Sequence, residues 1–186
     1  MSNLAKSIEE MTSSNQSTLT IDNLRVFIGW QIYIHDSFQK EYKKEIKIFL
    51  DFIAKLESTY GIGNILGENK YLLNAKLQIL NNNYEDAIKI LEENKIKSRE
   101  IIYFLTLGRY YHHEKKYLEA KENFDIILKR SPINPKAHYY SALLHYDWGK
   151  KDKAKEYLNK ALKVWEDADE DYIYLNMATA TAQKWK

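Results

Sequence analysis

The sequence contains no cysteine, which excludes disulfides and thiolate chemistry. Only two prolines and six glycines occur among its 186 residues, so few positions interrupt a helix, and an all-helical chain is favoured. Lysine and arginine number 28 against 26 aspartate and glutamate, a formal net charge of +2. That small surplus does not indicate a nucleic-acid partner, because binding to phosphates requires a pronounced basic surface.

Long apolar runs are also missing. A transmembrane helix needs about 18 or more predominantly apolar residues, and no stretch of the sequence reaches that length. Residues 1–10 carry charges but no apolar core of a secretory signal peptide. Since cysteine is absent as well, we expect a cytoplasmic protein that does not associate with membranes. Hydrophobic residues make up 45% of the chain, enough for a sizeable core.

A spaced set of aromatic and small residues occupies the stretch 101–134. Its members are Phe104, Leu107, Gly108, Tyr111, Tyr117, Ala120, Phe124 and Pro132. This spacing resembles the signature of the tetratricopeptide repeat (TPR), a unit of about 34 residues. The resemblance implies pairs of antiparallel helices that stack into a solenoid.

The pattern recurs on both sides of that stretch. The small residues Ala87, Ala120 and Ala154 stand 33 and 34 residues apart. Within the middle unit, Gly108 and Ala120 are predicted to let two helices approach closely, because larger side chains there would overpack the contact. The predicted units are about 68–100, 101–134 and 135–168.

Local signals in the third unit support helix hairpins independently of the resemblance. Asn134 is predicted to cap a helix whose first residue is Pro135, where the missing N–H has no cost. Gly149 is predicted to end that helix, and Asp152 to cap the next. Apolar residues then recur with helical period from Ala154 onward.

We therefore predict an all-α fold, a TPR-type α-α superhelix (a right-handed solenoid of helix hairpins) with extra N-terminal helices. Residues 37–60 show the period of an amphipathic helix. Residues 21–35 fit a helix or a strand, and we favour the helix. The predicted organisation is a flexible segment over 1–20, an N-terminal helical region over 21–66, and a TPR domain over 67–186 that ends in a capping helix over 171–186, equivalent to half of a fourth unit.

The resemblance implies that a partner lies in a concave groove lined by the first helix of each unit. The corresponding positions are Asn69, Leu72, Lys76, Ile79, Ile102, Leu105, Arg109, His112, His113, Lys136, Tyr139, Leu143, Tyr146 and Asp147. The set expected to bind the partner is Lys76, Ile102, Leu105, Arg109, His112, Lys136, Tyr139, Leu143 and Tyr146. Basic groups among apolar and aromatic anchors suit a peptide with some acidic character.

One specialised form of this groove is not expected. Some TPR co-chaperones hold a C-terminal carboxylate with lysine, asparagine and arginine side chains. The corresponding residues here are Leu72, Lys76, Thr106, Lys136 and Tyr140. Only Lys136 agrees in type, so the converging donors are missing.

The histidines do not indicate a metal or catalytic site. His112 and His113 are adjacent and would point about 100° apart on a helix. His138 and His145 occupy positions where the family packs aromatic rings, and we interpret them as packing residues. No nucleophile–base pair emerges, so we expect no enzyme and no cofactor or metal.

The expected function is a non-enzymatic adaptor or scaffold that binds a protein or peptide partner through the TPR groove, without nucleic acid or membrane as partners. Two alternatives remain open at this stage. One is a chaperone for a secreted or assembly partner. The other is a structural subunit that self-associates as a homo-oligomer.

Overall fold

A computed structural model describes residues 68–95 and 101–185, together with eight single residues between positions 43 and 58, all eight of them helical. The two continuous ranges contain helices and turns and no strand. Their helices are α1 (Glu68–Leu80), α2 (Tyr84–Asn94), α3 (Ile101–His113), α4 (Tyr117–Arg130), α5 (Pro135–Asp147), α6 (Lys151–Val164) and α7 (Ile173–Lys184). They pack in adjacent pairs, α1 with α2, α3 with α4, and α5 with α6. The predicted all-α fold is confirmed for these residues, and the pairing is that of an α-α superhelical repeat.

The chain divides into two compact units, with the boundary between Ser98 and Arg99. The first unit contains α1 and α2, and the second contains α3 to α7. In the first unit, Lys70 Nζ donates to Glu57 Oε2 at 2.6 Å, which connects Glu57 to α1. The predictions for residues 1–20, 21–35 and 61–67 fall outside the described residues.

The three hairpins turn in the same way. In each, a residue with positive φ lies two positions after the end of the first helix: Asn82 (62°), Lys115 (57°) and Gly149 (79°). These positions repeat the 33- and 34-residue spacing of the sequence. The backbone N–H of the following residue bonds back to a carbonyl of the last helical turn in each case, and this closes a Schellman motif: Asn83 to Gln78, Lys116 to Tyr111 and Lys150 to His145. Gly149 therefore ends α5 as predicted.

The start of α5 also follows its prediction, whereas the start of α6 does not. Asn134 Oδ1 accepts the N–H of Ala137 at 2.9 Å, and Pro135 is the first helical residue. The prediction that Asp152 caps α6 is wrong, because α6 has Lys150 at its N-cap and no side-chain cap. The tight turn at Gly149 starts the helix at once and places Asp152 in its first turn, where a carboxylate favours the positive end of the helix dipole.

A close approach between helices forms the core of the hairpin α3–α4. Gly108 lies directly under the ring of Phe124, and a Cβ atom at Gly108 would stand 2.5 Å from Phe124 Cε1. Ala120, on the same side of α4, is fully buried. The predicted role of small residues is confirmed at this contact. The ring of Phe124 also stacks on Tyr140 of α5, with centroids 6.3 Å apart, and so joins the second hairpin to the third.

Two buried histidines belong to the core of the third hairpin. His138 Nε2 donates to the carbonyl of Pro132 and His145 Nδ1 to that of Ser141, both at 2.8 Å. Both rings pack on Tyr157, with centroids 5.8 and 5.0 Å away. Their interpretation as packing residues at aromatic positions is confirmed.

Because these histidines are buried, we expect the free energy of unfolding to decrease in acid. Burial lowers the pKa of both His138 and His145, and the two carbonyl hydrogen bonds offset this only in part. In the unfolded chain, these two histidines take up protons near the ordinary pKa of about 6.5. In the folded chain they take up protons only at lower pH. Stability is therefore complete above about pH 6.5 and decreases as the pH falls below it. We expect urea midpoints to fall between about pH 7.5 and 5.5.

A matched variant isolates this effect. Phenylalanine at His138 keeps an aromatic ring and removes the titrating group, so the variant should lose less stability over the same pH interval than the wild type. Equal slopes for the two proteins would show that His138 does not carry the effect. His138 Nδ1 has no hydrogen-bond partner among the described residues, so a proton added there would find no acceptor.

The C-terminal helix α7 covers the end of the third hairpin. Tyr174 and Ala178 are its buried residues, and the Tyr174 ring stacks on buried Trp165 with centroids 5.9 Å apart. The predicted helix over 171–186 is thus present as Ile173–Lys184. Among the helices that the structure describes, none combines the length and apolar character needed to cross a membrane.

Candidate functional site

An open cleft of about 540 Å³ lies between α3 and α5 in the second unit. Its α3 wall consists of residues three and four apart, and its α5 wall follows the same rule, so each helix presents one face to the cleft. The turn after α3 and the first residue of α4 close one end. The lining is Arg109, His112, His113, Lys115, Tyr117, Tyr140, Leu143 and Asp147.

Two polar contacts hold the walls of the cleft together. The guanidinium carbon of Arg109 lies 4.7 Å from the ring centroid of Tyr140, a cation–π contact from α3 to α5. His112 Nε2 lies 2.8 Å from Asp147 Oδ2, which joins the same two helices nearer their C-terminal ends. Asp147 remains largely exposed, with 58% of its side chain accessible. The cleft therefore presents a braced but solvated polar surface.

Stacked rings support the closed end of the cleft. Tyr117 packs between His112 and Trp148, with ring centroids 6.3 and 5.8 Å away. Lys150 Nζ lies 3.0 Å from the centroid of the Trp148 ring. The turn of the second hairpin is thereby packed against the turn of the third.

Three residues of the predicted binding set line this cleft: Arg109, His112 and Leu143. Leu105 and Tyr139 lie instead in the core, with 2% and 3% of their surface exposed. Both side chains therefore pack in the interior of the second unit and do not line the cleft.

The predicted residues Ile102, Lys136 and Tyr146 of the second unit do not line the cleft. Ile102 is half-buried on the first turn of α3, and Lys76 lies on α1 in the first unit. Lys136 of α5 contacts α7, and Tyr146 of α5 contacts Trp185, the residue that follows α7. Lys136 Nζ stands 4.1 Å from the centroid of the Tyr174 ring, and Tyr146 stacks on Trp185 with parallel rings 4.2 Å apart.

Five lining residues are outside the predicted binding set: His113, Lys115, Tyr117, Tyr140 and Asp147. His113 and Asp147 belonged to the wider set of groove positions expected from the resemblance, whereas Lys115, Tyr117 and Tyr140 did not. That set was restricted to groove positions of the first helices, and Lys115 and Tyr117 follow the end of α3. From the sequence, Tyr140 was considered only as the counterpart of a residue that holds a C-terminal carboxylate in some TPR co-chaperones. A signal for Lys115 existed in the repeat itself, because its equivalent Gly149 was predicted to end the first helix of the third unit.

The comparisons with known proteins agree with this architecture. Residues 135–164 match the profile of the tetratricopeptide repeat family. The matched region covers α5 and α6, which contribute one wall of the cleft and its supporting hairpin. No curated protein matches the chain. The matched repeat and the successive helix hairpins, with their common turn, fit a TPR-type repeat protein.

Proposed function

We propose that this chain is a non-enzymatic interaction module that binds a segment of a protein partner in the cleft between α3 and α5. Repeats of this family generally bind other proteins or peptides, and stacked hairpins leave continuous surfaces for that purpose. The observation that carries the proposal is the open cleft itself. It combines an arginine, two tyrosines and a leucine on one surface.

The composition of the lining favours a protein partner. Tyrosine and arginine are enriched among the residues that contribute most to protein interfaces, because they bury large areas and also form polar contacts. Here Tyr117, which is half-buried, is held by the ring of Trp148, so little side-chain entropy is lost when a partner packs on it. Tyr140 is buried and supports the guanidinium of Arg109. Leu143, half-buried on α5, adds an apolar contact.

The chemistry of the lining favours binding over catalysis. His112 and Asp147 form a pair of the kind that orients a general base. The lining supplies no serine, threonine or cysteine hydroxyl or thiol for that base to activate. In our proposal the pair instead connects α3 to α5 and keeps the cleft at a constant width.

A charge reversal in the cleft tests the proposal. Arg109→Glu is expected to reduce the amount of partner captured from the source lysate by about tenfold or more, because it places a carboxylate where the partner meets a desolvated cation. Lys155→Glu is the matched control, since Lys155 is exposed on α6 and does not line the cleft. Quantitative mass spectrometry of the captured proteins provides the measurement.

The outcomes separate the alternatives. A partner retained by the wild type and by Lys155→Glu, but lost by Arg109→Glu, supports binding in the cleft. Equal capture by all three proteins would contradict it. A chaperone of one assembly partner would return a single protein in stoichiometric amount, whereas a self-associating subunit would return an untagged copy of this chain.

A further inference from the structure

We propose that the cleft contains a subsite for the carboxylate of an aspartate or glutamate side chain in the bound peptide, formed by Arg109 and Lys115. This inference rests on the proposed function, since it names the ligand class of the same cleft. It places the recognition of charge at one end of the α3–α5 surface, beside Tyr117 and Tyr140.

Arg109 is held in a position suited to a carboxylate. Its guanidinium lies against the ring of Tyr140, 4.7 Å from the centroid, and Tyr140 is itself stacked on buried Phe124. A guanidinium has five N–H donors in one plane, so it can bond to more than one group at a time. A carboxylate matches that planar edge with two parallel hydrogen bonds. Because the ring beneath is fixed, Arg109 loses little freedom on binding.

Lys115 adds a second positive charge at the closed end of the cleft. It takes the positive φ of the α3–α4 turn, 57°, a conformation that glycine or asparagine adopts more readily. The equivalent positions in the other two hairpins are indeed Asn82 and Gly149. A lysine at this turn therefore has a conformational cost. A role for its charge in the cleft would explain why lysine occupies this position.

The charges of the lining favour a monoanion. The lining contains two cationic side chains, Arg109 and Lys115, and one carboxylate, that of Asp147. A carboxylate ligand brings a single negative charge to this surface. A dianionic phosphate would meet stronger repulsion from the exposed Asp147, because like charges repel. Lys136, the other basic residue predicted for the groove on α5, lies against Tyr174 and does not line the cleft.

Peptide pools with blocked ends test the subsite. The probes are degenerate ten-residue peptides, acetylated and amidated, that differ only in a fixed central glutamate, glutamine or phosphoserine. A further glutamine pool keeps a free C-terminal carboxylate. Each pool is passed over the immobilised full chain, and the bound fraction is compared with the input. We expect the glutamate pool to be retained about fivefold better than the blocked glutamine pool.

Neutral variants assign the effect to its residues. Arg109→Gln and Lys115→Gln should each reduce the preference for glutamate, whereas Lys155→Gln should leave it unchanged, with circular dichroism confirming equal folding. Lys115 is exposed in a turn, so its variant keeps the test valid even if Arg109→Gln is destabilised.

Each remaining outcome overturns the inference in a distinguishable way. Equal retention of the blocked glutamate and glutamine pools removes the subsite but leaves peptide binding in place. Preferential retention of the phosphoserine pool, or of the pool with a free C-terminus, shows that the anion is not a side-chain carboxylate. Retention of no pool contradicts both the subsite and the proposed function.

Discussion

Replacing Phe124 by alanine is expected to lower the free energy of unfolding by about 3–5 kcal/mol. Phe124 is fully buried, and its ring contacts Gly108 of α3 and stacks on Tyr140 of α5. Its removal leaves a cavity where two hairpins meet, so contacts are lost on both sides. Whole domains are stable by only about 5–15 kcal/mol, and this single change would consume a large share.

Urea denaturation followed by circular dichroism measures the loss. Leu118→Ala on the same helix is the matched control, since Leu118 is 63% exposed and its truncation should change stability by less than about 0.5 kcal/mol. Similar values for the two variants would contradict the packing of the second hairpin against the third through Phe124.

Adding one methyl group at Gly108 is expected to destabilise the protein by about 1–3 kcal/mol, although alanine is ordinarily better than glycine inside a helix by about 1 kcal/mol. The new Cβ would stand 2.5 to 3.0 Å from three atoms of the Phe124 ring. That ring is rigid and enclosed, so relief requires the two helices to separate. The free energy of unfolding from urea titrations decides the sign.

Gly149→Ala supplies the control for this substitution. Nothing lies within 4 Å of a Cβ at Gly149, and the cost there comes only from its φ of 79°. Phe124→Leu should therefore relieve part of the loss at Gly108 and none of the loss at Gly149, which a double-mutant cycle resolves. Stabilisation by Gly108→Ala would contradict the close approach of α3 and α4.

These two substitutions should also affect the cleft, because the residues that support its lining are packed against Phe124. Phe124 supports Tyr140, and Tyr140 supports the guanidinium of Arg109. A variant that loosens the core should therefore weaken binding without changing any residue that lines the cleft. In this account the hairpin contact is what orients the site.

Much of the fold could be predicted because the repeat is encoded locally. Helical period, the Asn134–Pro135 start and the Gly149 stop each depend on a few neighbouring residues, and the structure agrees with all three. The start of α6 was predicted wrongly at Asp152, because Lys150, directly after the turn residue Gly149, takes the N-cap position.

The site was less predictable, because its opening depends on tertiary contacts. Arg109, His112 and Leu143 could be placed on the cleft from repeat position alone. The contacts of Lys136 with α7 and of Tyr146 with Trp185 depend on where the last helix packs, which the sequence pattern does not specify. Their part in partner binding, like that of Lys76, stays a prediction.

The most direct test of binding in the cleft is site-specific photocrosslinking in the source lysate. A benzophenone amino acid replaces Leu143, which lines the cleft, or Leu118, which is exposed on α4 outside it. We predict that the protein captured by the wild type crosslinks to position 143 and not to position 118. Crosslinking from position 118 alone would show that the partner binds the outer surface and would contradict the account.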